Sequence, residues 1–281
     1  MQRLDTVIFP VAGMGTRMLP ATKVTPKELL PVYDTPLLQF AVDEALAAGA
    51  KRLVMVSHPA KPAIAEYFEP QPDLTEALAE KGKDELLQTI RATALPDDVE
   101  LRIVMQPEPL GLGHAVLCGA EAALDGPVGV ILPDDLILGT PCLSEMAQAF
   151  DPEVMNSLVA AQSVPRDRVS SYGIFDLDDA TGQTVPARGF VEKPDPADAP
   201  STLAAVGRYV LSPAIFDVLR GTGEGAGGEI QLTDAIAALG RIAAFRFSGT
   251  RYDCGDKDGI VAATLAVQRS KGDDRVRLAA E

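Results

Sequence analysis

Between Phe9 and Pro31 the chain reads FPVAGMGTRMLPATKVTPKELLP. The apolar run that ends at Phe9 predicts a strand, and Gly13 and Gly15 directly after it predict a tight loop. Three cations follow this loop: Arg17, Lys23 and Lys27. Because glycines let backbone N–H groups approach an anion and the cations supply countercharge, the segment is suited to hold a nucleoside triphosphate.

Two better-known phosphate loops do not match this segment. No Gly-Lys-Ser or Gly-Lys-Thr follows the glycines, which excludes a Walker loop. Met18 stands where the dinucleotide fingerprint has its third glycine, so a nicotinamide-dependent oxidoreductase is a poor alternative. A Gly-x-Gly pair alone would as readily be an ordinary turn, and Lys23 alone a solvated lysine. Arg17 and Lys27 together favour the triphosphate loop.

Composition excludes several classes of protein. The chain has 281 residues and a formal net charge of -15, which argues against nucleic-acid binding and makes the cations of the first segment more telling. No apolar run approaches the ~20 residues of a membrane helix, so we expect no membrane association. The three cysteines lie far apart without a C-x-x-C pair, which predicts reduced thiols and a cytoplasmic protein.

Strands and helices alternate over the first 165 residues or so. Short apolar runs predict strands at Val7–Pro10, Arg52–Val56, Leu101–Met105, Val128–Leu132 and Leu158–Ala161. Helical patterns lie at Thr35–Ala48, at Asp73–Ala94 as one helix or a pair, and at His114–Leu124. The alternation predicts a Rossmann-like α/β fold: a mixed, mostly parallel central sheet flanked by helices, with ligands beyond the carboxyl ends of the strands.

The pattern changes after about residue 165. Further β-like runs lie at Tyr172–Leu177, Arg188–Glu192 and Ala205–Leu211, separated by turn-rich segments at Asp178–Gly182 and Pro194–Ser201. They predict antiparallel or mixed strands added to the first sheet. We therefore expect a single domain over residues 1–270, with parts at about 1–165 and 166–255, and a charged tail at 271–281. The glycine-rich segment Gly221–Gly228 is compatible with a flexible linker or a mobile active-site loop.

Polar residues at predicted strand ends are candidates for chemistry. Gln106 follows the strand that ends at Met105, and an amide there can donate and accept at once, as recognition of a base edge requires. Asp134 and Asp135 follow Val130–Leu132, and Asp253 follows another apolar stretch. Adjacent aspartates are often only turn formers, but Mg²⁺ prefers one or two carboxylates with phosphate oxygens.

Glu192 and Lys193 end a third predicted strand, ahead of Pro194. A surface ion pair is one interpretation. In the other, Glu192 holds sugar hydroxyls and Lys193 a phosphate, as a compact point charge.

The chain resembles the bacterial UTP–glucose-1-phosphate uridylyltransferases, or UDP-glucose pyrophosphorylases, from Val7 to about Gln268. The matching motifs occur in the same order: Pro10–Lys23, Thr25–Pro31, Gly-Leu-Gly-His-Ala-Val, Ile-Leu-Pro-Asp-Asp, Tyr-Gly, Val-Glu-Lys-Pro, Val-Gly-Arg-Tyr-Val-Leu, Gly-Glu-Ile-Gln-Leu-Thr-Asp-Ala and Asp-Cys-Gly. The resemblance implies a nucleotidyltransferase fold, UTP and glucose 1-phosphate as substrates, Mg²⁺ as cofactor, and a homodimer or homotetramer.

The resemblance also assigns site residues to three groups. The nucleotide would contact Ala12, Gly13, Gly15, Thr16, Gln106 and Gly111. Glucose would contact Gly173, Glu192, Val206, Gly207 and Glu229, which makes residues 166–255 the sugar-binding part. Arg17 and Lys27 would face the triphosphate, Lys193 the sugar phosphate, and Asp134 and Asp253 would bind Mg²⁺.

Two further interpretations stay open at this point. One is a related nucleotidyltransferase that uses dTTP or another sugar 1-phosphate. The other is a catalytically weak paralogue that binds a nucleotide sugar and regulates a partner enzyme.

Overall fold

A computed structural model of the chain describes residues 3–177 and 181–278. Its strands, named in chain order, are β1 (Thr6–Pro10), β2 (Pro31–Val32), β3 (Thr35–Pro36), β4 (Arg52–Ser57), β5 (Glu100–Met105), β6 (Val128–Ile131), β7 (Asp135–Leu138), β8 (Ser157–Ser163), β9 (Gly173–Leu177), β10 (Thr184–Glu192), β11 (Leu203–Leu211), β12 (Ile242–Arg246) and β13 (Thr250–Asp253). Its α-helices are α1 (Leu37–Ala47), α2 (Ala63–Glu66), α3 (Pro72–Glu80), α4 (Asp84–Arg91), α5 (Leu112–Cys118), α6 (Cys142–Ala149), α7 (Ile215–Gly221), α8 (Leu232–Leu239) and α9 (Lys257–Leu278). Within the described ranges, none of the helices combines the length and the apolar character that crossing a bilayer requires.

One sheet contains strands from both predicted parts of the chain. Nine strands follow the order β5-β4-β1-β6-β11-β8-β12-β10-β9. Seven of them run in the same direction, and β10 and β11 oppose the rest. The predicted mixed sheet with helices is therefore confirmed. Most strands thus share one direction, but the two opposed strands each have several neighbours, so five of the pairings are antiparallel and four are parallel.

The alternation of side chains along β1 explains why helices cover both faces of the sheet. Val7 and Phe9 enter one apolar core with α1 and α6, whereas Ile8 enters a second core with α5, α7 and α8. Each such side chain, buried completely, contributes about 1.5–3 kcal/mol of transfer free energy. Because β1, β4, β5 and β6 run parallel, their carboxyl ends lie at one edge of the sheet.

A two-stranded ribbon crosses this edge. β7 pairs with β13 in antiparallel register, which sets Asp135 opposite Asp253. α9 packs behind the ribbon through Leu136, Cys254, Ala263 and Val267. The ribbon thus joins two segments that are more than a hundred residues apart in the chain.

Several predicted boundaries are refined. Asp73–Ala94 is a pair of helices, α3 and α4, and His114–Leu124 is a short helix followed by a 3₁₀ turn. Gly221–Gly228 is no interdomain linker, because α7 and α8 on either side of it pack into the same core. α9 continues through the predicted tail to Leu278, whereas residues 178–180 of the predicted turn and 279–281 of the tail lie outside the described residues.

Candidate active site

Two adjoining pockets open at the carboxyl ends of the parallel strands. The first encloses about 320 Å³ and is lined by residues that directly follow β1, β4, β5 and β6. The second encloses about 350 Å³, and its lining includes residues of β9, β10, β11 and β13. The two pockets share Leu112, Leu132, Asp134 and Glu229. Such a position, outside the carboxyl ends of strands, is where open α/β sheets bind ligands.

Most of the predicted site residues line one or both pockets. The first pocket includes Ala12, Gly13, Lys27, Gln106, Gly111, Asp134 and Glu229. The second includes Arg17, Asp134, Gly173, Glu192, Lys193, Val206, Gly207, Glu229 and Asp253. The structure therefore brings together residues from eight separate stretches of sequence.

Three cited residues of the first segment line neither pocket: Gly15, Thr16 and Lys23. Gly15 has a φ of +64°, and a Cβ there would lie 3.1 Å from Cβ of Lys27, so this glycine turns the chain closely past that lysine. Thr16 begins a 3₁₀ turn and Lys23 is exposed. The contact of Gly15 and Thr16 with the nucleotide stays a prediction.

Gln106 presents a fixed amide to the first pocket. Its Nε2 donates to the carbonyl of Gly111 at 3.1 Å and lies 3.0 Å from Nδ1 of His114. Because a carbonyl can only accept, the NH₂ group must face Gly111, and Nδ1 of His114 must then be the acceptor. The amide oxygen of Gln106 is left to face the pocket as a hydrogen-bond acceptor.

Glycines shape the first pocket in two ways. A Cβ on Gly13 would meet no atom within 4 Å, so the position faces open space in the pocket that it lines. Gly111 has a φ of +95°, and a Cβ there would lie 2.6 Å from Cβ of Glu229. Only glycine allows Glu229 to approach this closely, and the backbone of Ile230 bonds to Leu110 and to Gly113 at 2.8 Å each.

Lys27 and Asp134 form an ion pair in the wall between the pockets. Nζ of Lys27 lies 2.6 Å from Oδ2 of Asp134, and each side chain is about 20% exposed (20% and 19%). Burial disfavours the charge on Lys27, but Asp134 and Glu28 outweigh it and hold the pKa of Lys27 above its ordinary value. Burial also acts to raise the pKa of Asp134, and Lys27 outweighs it and lowers that pKa. Both groups are therefore charged at neutral pH.

The ribbon places Asp253 beside Asp134 and gives Asp135 a different environment. The backbone N–H of Cys254 donates to the carbonyl of Asp134 at 2.7 Å, which ties the two predicted metal ligands together. Asp135 is turned inward: its Oδ1 accepts from Nε of Arg251 at 2.6 Å and its Oδ2 from the N–H of Gly207 at 2.7 Å. Asp134 and Asp253 both line the second pocket, where Asp253 also lies 3.3 Å from Arg251.

The second pocket contains an acid and a base on consecutive residues. Nζ of Lys193 lies 3.2 Å from Oε1 of Glu192, and the hydroxyl of Thr233 donates to Oε2 of Glu192 at 2.6 Å. The ion pair of the alternative interpretation thus exists, and both residues also line the second pocket, with the Lys193 side chain 54% exposed. Lys193 has a φ of +44°, a left-handed conformation that non-glycine residues rarely adopt.

Arg17 reaches the second pocket across Gly255. A Cβ at Gly255 would lie 2.6 Å from Nη2 of Arg17, so the glycine of Asp-Cys-Gly makes room for the guanidinium. Among the described residues, no carboxylate lies within ion-pair distance of Arg17. Its charge is available to a ligand.

Comparison with known proteins places this geometry in a family. The nucleotidyl transferase family model matches residues 7–270. The UTP–glucose-1-phosphate uridylyltransferase of Bacillus subtilis is 42% identical over 269 residues, which cover 94% of this chain and 91% of that protein. The chain belongs to the uridylyltransferases of this family.

Solved structures agree with this assignment. A UDP-glucose pyrophosphorylase complexed with UDP-glucose matches with a TM-score of 0.85 and 36% identity, covering 95% of this chain and 99% of that one. A UTP-bound enzyme of the same type from Acinetobacter baumannii matches with a TM-score of 0.86 and 38% identity, covering 94% and 93%. These comparisons confirm the resemblance to UTP–glucose-1-phosphate uridylyltransferases that the sequence motifs indicated.

Sequence reasoning missed three buried cations near the site. Lys61 pairs with Glu28 at 2.8 Å, Arg208 with Glu44 at 2.8 Å, and Arg251 with Asp135. The burial of Arg208 could have been predicted from this uridylyltransferase sequence, because Arg208 is the one charged residue in the otherwise apolar strand β11. Lys61 had none.

Proposed function

We propose that the chain transfers the uridylyl group of UTP to glucose 1-phosphate, giving UDP-glucose and pyrophosphate. The observation that carries this proposal is the shared wall of the two pockets. Asp134 and Glu229 lie in both, with Lys27 on the first side and Arg17 and Lys193 on the second. Two anionic substrates can therefore meet end to end at this wall, which has cations on both sides. The parallel half of the sheet would thereby bind its nucleotide in the Rossmann-like manner.

Base recognition by Gln106 supports a uracil nucleotide. The N3–H of uracil is a donor between two carbonyl groups, and the free amide oxygen of Gln106 is a matching acceptor. Cytosine has an acceptor at N3 and would face this oxygen unfavourably. Thymine shares the uracil edge, so a test of the proposal has to include dTTP.

The reaction is an in-line displacement at the α-phosphorus of UTP. An oxygen of the glucose 1-phosphate group forms the new P–O bond, and the bond from the α-phosphorus to the β-phosphate bridging oxygen breaks, releasing pyrophosphate. The nucleophile is already anionic at neutral pH, so no general base is needed. Lys27 and Arg17 would hold the triphosphate and Lys193 the sugar phosphate, and their alignment can be worth ~7–11 kcal/mol.

We further propose that Mg²⁺ supports this reaction. Asp134 and Asp253 fit the ion, because Mg²⁺ takes one or two carboxylates and completes its shell with water and phosphate oxygens. When bound, it would neutralise phosphate charge. Asp134 would have to share its carboxylate between the ion and Lys27, which lies 2.6 Å away.

The decisive experiment measures pyrophosphate release with UTP plus glucose 1-phosphate, with and without Mg²⁺. A panel of UTP, dTTP and CTP, crossed with several sugar 1-phosphates, separates the proposed activity from that of related nucleotidyltransferases. We expect the highest kcat/KM with UTP and glucose 1-phosphate. Absence of pyrophosphate with every pair would favour the regulatory paralogue instead.

Two accompanying proposals concern the protein in the cell. We propose a cytoplasmic location, because the three cysteines lie far apart in the sequence without a C-x-x-C pair. We also propose a homodimer or homotetramer, which light scattering coupled to size-exclusion chromatography would distinguish from a monomer.

A further inference from the structure

A buried lysine lies directly beneath the loop that lines the first pocket. Nζ of Lys61 donates to the carbonyl of Val11 at 2.6 Å, to the carbonyl of Gly13 at 2.7 Å and to Oε2 of Glu28 at 2.8 Å. An ammonium group has three N–H donors, so this one is fully used. The side chains of Lys61 and Glu28 are 7% and 0% exposed.

Stability alone is a poor reason for such a pair. Desolvation of two buried charges can exceed their mutual attraction, and apolar residues of similar volume often replace a buried pair without loss. The pair is also imperfect, because Oε1 of Glu28 is buried and has no hydrogen-bond partner among the described residues. What the pair does supply is a single point that connects three segments.

Two of these segments line the first pocket, and the third connects them to the core. The two carbonyls flank Ala12, which lines the pocket together with Gly13. Glu28 directly follows Lys27, whose side chain forms the wall with Asp134. Lys61 itself precedes α2, which packs into the core through Ile64.

We propose that Lys61 and Glu28 are positioning residues that hold the loop at Val11–Gly13 and the segment of Lys27 in the geometry that binds the nucleotide. The inference rests on the proposed function for the identity of the ligand, UTP. It adds that the affinity for UTP depends on two residues that do not line the pocket. Holding a loop in its bound conformation raises affinity by reducing the ordering cost of binding.

The test is the double variant Lys61→Met/Glu28→Leu, which replaces the pair by apolar side chains of similar length. We expect a cooperative thermal transition, a Kd for UTP raised on the order of tenfold, equivalent to about 1.4 kcal/mol, and an unchanged KM for glucose 1-phosphate. Backbone amides of residues 11–16 should exchange hydrogen faster in the ligand-free variant. If the pair served stability alone, the double variant would not weaken UTP binding selectively over glucose 1-phosphate binding. Hydrogen exchange at residues 11–16 would also stay at its wild-type rate.

The matched control is Lys51→Met/Asp98→Leu, which removes an exposed lysine–aspartate pair at the opposite end of β4. It should leave UTP binding and the exchange of residues 11–16 as they are. A folded Lys61→Met/Glu28→Leu variant with wild-type Kd and wild-type exchange would overturn the inference.

A second variant keeps the inference testable if the double variant does not fold. Lys61→Arg keeps the charge opposite Glu28 but cannot direct three donors from one point, so the Kd for UTP should again rise; an unchanged Kd would overturn the inference. If the wild-type protein itself failed to bind UTP, the proposed function would be wrong. The exchange measurement would still test whether Lys61 holds the loop.

Discussion

The adjacent residues Asp134 and Asp135 should respond in opposite ways to the same substitution. Asp134 faces both pockets and pairs with Lys27, whereas Asp135 is 9% exposed and bonds to Arg251 and to the backbone of Gly207. Replacement by asparagine removes one charge and almost no volume in either case. We expect Asp134→Asn to damage catalysis and Asp135→Asn to damage stability.

The magnitudes follow from these environments. Loss of one group that stabilises charge in a reacting centre costs about 2.7–4 kcal/mol, so kcat of Asp134→Asn should fall about 10²–10³-fold. Its free energy of unfolding should fall by only about 1–3 kcal/mol, because Lys27 keeps partial exposure and the nearby Glu28. Breaking a buried ion pair costs about 3–5 kcal/mol, and Asp135→Asn should lie near the lower end because Asp253 remains 3.3 Å from Arg251.

The assays are pyrophosphate release for kcat and urea unfolding for stability, on both variants in parallel. Binding of Mn²⁺ as a probe for Mg²⁺, followed by electron paramagnetic resonance, adds a measurement that does not need turnover. Asp134→Asn should weaken Mn²⁺ binding more than Asp135→Asn does. Full activity in Asp134→Asn, or a larger loss of kcat in Asp135→Asn than in Asp134→Asn, would refute the reasoning.

Three further predictions concern single features of the site. Gly13→Ala should fold with wild-type stability but raise the KM for UTP, since its methyl group enters open space in the pocket; a lowered melting temperature would contradict this placement. Lys193→Ala should raise the KM for glucose 1-phosphate and leave the Kd for UTP unchanged, and an unchanged KM would reduce Lys193 to its ion pair with Glu192. The Lys27–Asp134 pair should stabilise the fold only above about pH 4: the folded pKa of Asp134 lies below its ordinary value of 3.8, so the contribution is present above that value and is lost as pH falls through the folded pKa. Unfolding of the wild type and Asp134→Asn across pH 2–7 should therefore converge at low pH, and a constant difference would exclude this linkage.

Most of the fold could be predicted from the sequence because its strands are apolar runs bounded by turn residues. The runs at Val7–Pro10 and Arg52–Val56 became β1 and β4 almost without change. Strand direction was harder, because the antiparallel insertion of β11 beside β6 depends on long-range pairing that local pattern does not encode.

Site residues could be predicted only where they belong to a sequence motif with a recognisable chemical role. The juxtaposition of Asp134 with Asp253 depends on the register of β7 against β13, which no spacing in the sequence shows. Lys61 and Glu28 were missed for a related reason: a lysine followed by proline in a polar segment reads as solvated, and its burial results from three segments meeting beneath one loop.

Carboxylates of this acidic protein pair with most of the cations in the candidate active site. Lys27, Lys193 and Arg251 would repel one another in a shared cleft, but each is paired with a carboxylate: Asp134, Glu192 and Asp135, respectively. A phosphate that enters must compete with these carboxylates, so each cation contributes less net affinity than a bare charge would, and product release is correspondingly easier. Arg17 lacks such a carboxylate among the described residues, and it therefore offers the strongest first contact to an incoming polyanion.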